Sequence, residues 1–237
     1  GQYDLSSLRM TIVAGAPTPP AAMRRIAALA PVAVHGYGLT ESAGMVTYTQ
    51  ATDTPDTLVR TAGRAAPEFD LRIVDATRQP LPAGAAGEIA VRGPCVMTGY
   101  LQTPADHDAA LSGDGWLYTG DIGRLDEQGY LSVIGRRKEM FITGGFNVYP
   151  AEIEAYLAEH PKVALCACLG RPDPVMGEVG VAFVAPHPAA PLTVQELRAH
   201  CRHGLARYKT PAEFRITDSL PLTSAGKVDK AALAAQL

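Results

Sequence analysis

Residues 8–35 read LRMTIVAGAPTPPAAMRRIAALAPVAVH, and this stretch decides the fold class. Leu8-Arg-Met-Thr-Ile-Val13 is an apolar run of strand length, expected to be buried. Ala14-Gly-Ala-Pro17 breaks it as a turn. From about Pro19 to Leu29 the apolar residues Met23, Ile26, Ala27 and Ala30 recur at helical spacing, and proline suits a helix start. Val32-Ala-Val-His35 is a second short apolar run. Strand, helix and strand in this order predict a unit of a parallel α/β sheet. A parallel sheet needs more strands than this, so the chain is expected to begin inside a larger domain.

Working outward, the texture changes from about Asp56 to Gly135. Short β-type runs (Phe69–Val74, Glu88–Arg92, Tyr130–Ile134) alternate with turn clusters such as Pro82-Ala-Gly84, Ser112-Gly-Asp-Gly115 and Asp126-Glu-Gln-Gly129. That spacing predicts a small barrel- or sandwich-like β region. Past Arg136 it changes again. Met140–Thr143 reads as a strand, and Pro150 opens a helix to about His160 with Ile153, Tyr156 and Leu157 on one face. Val163–Leu169, Val179–Val184 and Phe214–Ile216 read as strands. Thr193 with Glu196 forms a capping-box pattern ahead of a helix carrying Val194, Leu197, Cys201 and Leu205, and Asp229 caps a last Ala-rich helix. The expected organisation is residues 1–137 as part of one domain (1–55 an α/β piece, 56–137 a β subdomain) and 138–237 as a small α+β domain.

The 237 residues are 47% hydrophobic, which argues against disorder and leaves ample chain for a core. Twenty-one basic against 24 acidic side chains give a formal net charge of −3. Neither side of Lys138 is a polycation, so an electrostatic nucleic-acid binder is not expected. No apolar run reaches the ~18 residues of a membrane span, and no basic segment precedes an apolar one at the start. Cys95, Cys166, Cys168 and Cys201 form no CxxC pair and have no His at zinc-ligand spacing. Buried free thiols in a reducing cytoplasm are expected.

Four short motifs carry chemistry. In Gly36-Tyr-Gly-Leu-Thr-Glu-Ser42, directly after a strand, glycines flanking Tyr37 would let the backbone approach a ligand and leave the ring free to stack. Thr40 and Glu41 add oxygen donors of the kind Mg²⁺ prefers beside a phosphate. In Trp116-Leu-Tyr-Thr-Gly-Asp121, an Asp after a Thr-Gly turn can accept hydrogen bonds from vicinal ribose hydroxyls. Gly135-Arg-Arg-Lys-Glu139 leads into Thr143-Gly-Gly-Phe-Asn-Val-Tyr-Pro150, where Gly144-Gly145 permits close backbone approach along a narrow channel. Leu220-Pro-Leu-Thr-Ser-Ala-Gly-Lys227 places one cation on a loop near the chain end, suited to reach a carboxylate or phosphate. Taken singly, each has an ordinary structural explanation: a strand-to-loop turn, a turn aspartate, a solvated basic surface, a surface lysine.

In this order and spacing, with Gly87-Glu-Ile and Gly99-Tyr100 between them, the motifs resemble the C-terminal half of the adenylate-forming superfamily, which includes acyl-CoA synthetases, firefly-type luciferases and peptide-synthetase adenylation domains. Gly144–Glu154 looks most like acyl-CoA synthetases. The resemblance implies a two-step reaction in which a carboxylic acid and ATP give an acyl-adenylate, and coenzyme A then displaces AMP. It implies that Tyr37 lies near adenine, with Gly15, Ala16, Gly36 and Gly38 at the adenine and acyl pocket. Thr40 would hold a phosphate oxygen, Glu41 Mg²⁺, and Asp121 with Arg136 the ribose. Lys227 would bridge carboxylate and α-phosphate, Lys138 would be a hinge, and Gly144-Gly145 would line the pantetheine tunnel. An adenylation domain loading a carrier-protein thiol, or a non-catalytic nucleotide-binding module, are the alternatives. The family's upstream phosphate loop is not in this sequence, so the 237 residues are expected to need an N-terminal half. Ala14 stands where the family often has Gly.

Overall fold

The computed structural model describes residues 3–16, 18–101, 110–224 and 226–237. The described chain divides into two compact units, residues 1–137 and 138–237.

In the first unit, β1 (Met10–Val13), α1 (Pro20–Ala27) and β2 (Val32–Leu39) form the strand–helix–strand unit, with β1 and β2 parallel from Met10↔Val32 to Val13↔His35. Pro20 starts α1 and Met23 is its buried anchor. Pro17, at the end of the turn, lies outside the described residues. β1 is not the buried strand expected. It is an edge strand paired only with β2, and Met10 and Ile12 are 50% and 58% exposed because alternate strand residues face one side that no described element covers.

β2 runs four residues past His35, so Gly36–Leu39 is strand and not the loop after one. β3 (Gly44–Tyr48) and β4 (Arg64–Ala65) complete the order β1-β2-β3-β4, and α2 (Pro55–Arg60) lies between them in sequence. The glycines around Tyr37 serve this pairing. A Cβ on Gly38 would stand 2.0 Å from the carbonyl oxygen of Gly44, and one on Gly36 2.6 Å from that of Thr47. Backbone occupies the space that the sequence assigned to a ligand. Gly38→Ala is expected to cost about 3 kcal/mol, the upper end for overpacking. Unchanged denaturant midpoints would contradict it.

The β subdomain is an open antiparallel meander of β5 (Asp70–Val74), β6 (Gly87–Arg92), β7 (Leu117–Leu125) and β8 (Leu131–Arg136). Among the described residues no pairing joins β8 back to β5. β7 contains the Thr119-Gly120 pair that the sequence presents as a turn. Between Ala90↔Tyr118 and Glu88↔Ile122, β6 advances two residues while β7 advances four, and Gly120 sits in this bulge at φ +73°. Tyr37, Val46, Ala62, Ile73, Ile89, Val91 and Leu131 form a core shared by both sheets. On the meander's other face Trp116 and Tyr118 pack with Val74 and Ala90. The Arg72 guanidinium lies 3.7 Å from the Trp116 ring centre and that of Arg78 4.1 Å from Tyr118, so basic side chains roof the aromatics.

In the second unit, β9 (Phe141–Thr143) and β10 (Phe146–Val148) form a hairpin, followed by α3 (Pro150–Leu157), β11 (Val163–Asp173), β12 (Gly177–Pro186), α4 (Val194–Gly204), β13 (Glu213–Ile216) and α5 (Lys230–Ala234). The sheet order is β10-β9-β12-β11, with β13 parallel to β12. β12 reads as an unbroken apolar run because both its faces are covered. Ala182 and Val184 pack with Ile153, Leu157 and Leu197, while Val181, Phe183 and Ala185 pack with Leu220 and Leu233.

The capping box forms as the sequence predicts. The Glu196 amide donates to Thr193 Oγ1 (3.2 Å) and the Thr193 amide to Glu196 Oε2 (2.9 Å). Thr193→Ala is expected to lower stability by about 1 kcal/mol by thermal or chemical denaturation. An unchanged value would mean that the cap contributes nothing. Asp229 caps α5 through the Ala232 amide (3.0 Å). Two expectations fail locally: Val194 is 39% exposed, and Cys95 is exposed whereas Cys168 and Cys201 are buried. Val194 is the first residue of α4, and Cys95 lies in the loop after β6, so neither has a neighbouring layer to enter.

Candidate functional site

β2 carries Tyr37 into the shared core, where its ring is 9% exposed. Its hydroxyl donates to Asp121 Oδ2 at 2.7 Å. The β7 bulge turns Asp121 toward it, and the β7–β8 register sets Asp121 opposite Arg136, whose Nε lies 3.1 Å from Asp121 Oδ1. Burial, reinforced by the neighbouring carboxylate, pushes the Tyr37 phenol far above its usual pKa, so the ring stays a neutral donor. Tyr37, Asp121 and Arg136 are thus brought together from three strands. The ring belongs to the buried core shared by the two sheets.

At the end of β2 the chain enters a 3₁₀ turn, Thr40–Ser42. The buried Ser42 hydroxyl accepts from the Leu39 amide (3.2 Å) and reaches the carbonyls of Leu39 (2.9 Å) and Gly44 (2.8 Å). This knot leaves Thr40 exposed and Glu41 half-buried beside it. Tyr100 donates its hydroxyl to Glu41 Oε1 at 2.7 Å, and the Met97 amide donates to the Glu41 carbonyl at 2.8 Å. Among the described residues no cluster of three or more His, Cys, Asp or Glu gathers that could hold a metal ion. Thr40 and Glu41 therefore supply a partial oxygen set, which fits Mg²⁺ completed by phosphate and water. Gly15 (φ +84°) and Ala16 follow β1, whose last residue pairs with His35. They lie at the carboxyl end of β1, where open α/β sheets bind ligands, whereas Gly36 lies inside β2, paired with Tyr48.

Glu88, which the sequence presents only within the Gly87-Glu-Ile motif and without a role, is held next to Asp121. It is 7% exposed, accepts from the Gly120 amide (2.9 Å) inside the bulge, and pairs with Arg137 Nη1 at 2.8 Å. A carboxylate opening an otherwise apolar strand was the available signal. Tyr100 likewise stands in the sequence only within the Gly99-Tyr100 motif, with no role attached to it.

The second unit holds the remaining candidates. Lys138 is its first residue, within the 3₁₀ turn Arg137–Glu139. Gly144 and Gly145 form the tip of the β9–β10 hairpin with φ of +56° and +85°. A two-residue turn with both residues at positive φ requires such glycines, so hairpin geometry alone accounts for the pair. Lys227 sits on a closed turn and not on a loose loop. The Thr223 amide donates to the Lys227 carbonyl (2.7 Å), the Lys227 amide to Thr223 Oγ1 (3.3 Å), and Leu222 bridges Val228. Buried Leu220 pins the turn at its base, and Ala225 lies outside the described residues.

Comparison with known proteins places the chain in a family. A model described as AMP-binding enzyme matches residues 1–101, and one described as AMP-binding enzyme C-terminal domain matches residues 152–227. A methyl-dioxo-octahydro-indenyl propanoyl:CoA ligase of Rhodococcus jostii is 43% identical over 97% of this chain and 43% of its own length. A feruloyl-CoA synthase of Amycolatopsis is 41% identical over 96% of this chain and 46% of its own. The o-succinylbenzoate CoA synthetase of Bacillus subtilis, solved with its acyl-adenylate intermediate, superposes with a TM-score of 0.88 at 32% identity, covering 96% of this chain and 46% of that one. The chain thus spans less than half the length of the relatives it matches. By sequence and by fold, it belongs to the AMP-binding, adenylate-forming enzyme family.

Proposed function

We propose that this chain is the nucleotide-gripping and swivelling part of an AMP-forming acyl-CoA synthetase. The observation that carries this reading is the convergence of Tyr37, Asp121 and Arg136 beside the Thr40–Glu41 turn. In the first step a carboxylate oxygen attacks the α-phosphorus of ATP, a C–O–P anhydride forms, and pyrophosphate leaves. In the second the sulfur of coenzyme A attacks the acyl carbon and AMP leaves. A carboxylate is a poor acyl donor, and the mixed anhydride supplies the missing leaving group.

Asp121 accepts the ribose hydroxyls. Arg136 holds its carboxylate in place, and Tyr37 fixes its other oxygen from within the core. Thr40 donates to a phosphate oxygen. Glu41, oriented by Tyr100, would hold Mg²⁺, which when bound would neutralise phosphate charge. Lys227 brings a cation to the carboxylate and α-phosphate during the first step only. The second unit turns at Lys138 between steps, withdrawing Lys227 and presenting the Gly144-Gly145 tip to the pantetheine arm. The rest of the phosphate cradle belongs to an upstream half, as the length of the relatives suggests. Four free cysteines are in keeping with a cytoplasmic enzyme.

The test is ATP–pyrophosphate exchange with a panel of carboxylic acids. Exchange is expected from the full-length protein or from this chain supplemented with its upstream half, and none from the 237 residues alone. Robust exchange by the isolated chain would refute the need for an upstream half. No exchange with any acid in any format would refute the activity.

A further inference from the structure

The chain between the two units is held by ion pairs on both sides of a single residue. Arg136 is bound to Asp121, and Arg137 to the buried Glu88, both within residues 1–137. Glu139 is bound to Lys230, whose Nζ also lies 2.9 Å from Glu154 Oε1, all within residues 138–237. Neither anchor is a loose surface pair. Glu88 is also fixed by the Gly120 amide in the β7 bulge, and Glu154 by the Cys168 amide of β11 at 2.8 Å. Among the described residues, Lys138 alone in the stretch 136–139 has no ion-paired or hydrogen-bonded side-chain partner.

Lys230 has a second connection. It opens α5 three residues after Lys227, and the preceding Asp229 amide donates to the Pro221 carbonyl at the base of the Lys227 turn (2.8 Å). The residue that grips the connector thus directly follows the one whose amide seats the turn that displays Lys227, and its own amide donates to the Val228 carbonyl at 3.1 Å. The Nζ of Lys230 bridges two carboxylates on separate elements, Glu139 after the junction and Glu154 on α3, so one side chain ties three segments.

We propose that Glu88 and Lys230 are positioning residues that clamp the connector from its two ends, confining backbone rotation to Lys138 and making the Lys227 turn move as one body with the chain after it. The proposal rests on the alternation put forward above, but its first test does not. Site-resolved amide hydrogen exchange is measured on the 237-residue chain carrying Glu88→Gln, Lys230→Met, Lys230→Arg or the milder Glu139→Gln.

Loss of a charge-assisted contact should raise local opening by about tenfold. Glu88→Gln is expected to raise exchange at 136–138 and leave 139–143 unchanged. Lys230→Met and Glu139→Gln should raise it at 139–143, with Lys230→Met also loosening 222–228. Lys230→Arg should restore the wild-type pattern, and α4 should be unaffected throughout. Wild-type exchange in all variants would overturn the clamps. So would a uniform rise including β11, β12 and α4, which would make Lys230 merely structural.

The second test measures the two half-reactions in full-length Lys230→Met. Adenylation should fall about tenfold while thioester formation from supplied acyl-adenylate changes little, with Lys230→Arg restoring the first. Equal loss of both would overturn the link to Lys227. The predicted exchange pattern in a protein that adenylates no acid would leave the clamps standing and remove the functional reading instead.

Discussion

Full-length protein carrying Lys227→Ala is expected to lose adenylation by about a hundred- to a thousandfold, the scale of removing one preorganised transition-state contact. The same variant should convert preformed acyl-adenylate to thioester at close to the wild-type rate. The asymmetry follows from chemistry. In the first step, two anionic centres must approach each other, and a cation between them lowers the barrier. In the second, the reacting carbon is already activated and the attacking group is a thiol. The turn that displays Lys227 is internally bonded through Thr223 and Val228. Truncating an exposed side chain there should leave the fold intact, and unaltered thermal unfolding is the control. Equal loss in both half-reactions would show that Lys227 is not confined to adenylation.

Asp121→Asn should weaken AMP binding by about thirty- to a hundredfold in calorimetric titration of the full-length protein. The estimate assumes that two charge-assisted hydrogen bonds to vicinal hydroxyls become neutral ones. The substitution also removes the charge facing Arg136 and the anionic acceptor of the Tyr37 hydroxyl. A modest loss of stability should accompany it, because the asparagine oxygen still accepts from the phenol. Tyr37→Phe separates these effects. It keeps the ring in the core and deletes only the hydroxyl, so binding should fall by much less than in Asp121→Asn. Wild-type affinity in Asp121→Asn would remove the ribose contact from the account.

The elements most legible in the sequence are those whose signals are local. The Pro20 start of α1, the Thr193–Glu196 box and the Asp229 cap are each settled by a side chain within a few residues of the backbone it satisfies. What was misread depends on distant partners. Thr119-Gly120 has the composition of a turn, yet β6 and β8 hold it in a strand and convert the glycine into a bulge. Gly36 and Gly38 look like ligand-facing glycines, but the backbone of β3 fills their space. Leu8–Val13 reads as buried because it is apolar, while its exposure depends on which elements lie alongside it.

The candidate site divides in the same way. Its motif residues were visible as residues, whereas the hydrogen bond from Tyr37 to Asp121 spans 84 positions and leaves no mark on either local stretch. Glu88 was invisible as a functional group because its partners, Gly120 and Arg137, are brought to it only by the meander.

The most direct measurement follows the oxygens of the acid. Full-length protein is given a carboxylic acid labelled with oxygen-18 at both carboxyl positions, together with ATP and coenzyme A, and the products are weighed by mass spectrometry. Activation through an acyl-adenylate predicts one labelled oxygen in each AMP, the other remaining in the thioester, with unlabelled pyrophosphate. Unlabelled AMP, or ADP with the label in inorganic phosphate, would contradict it.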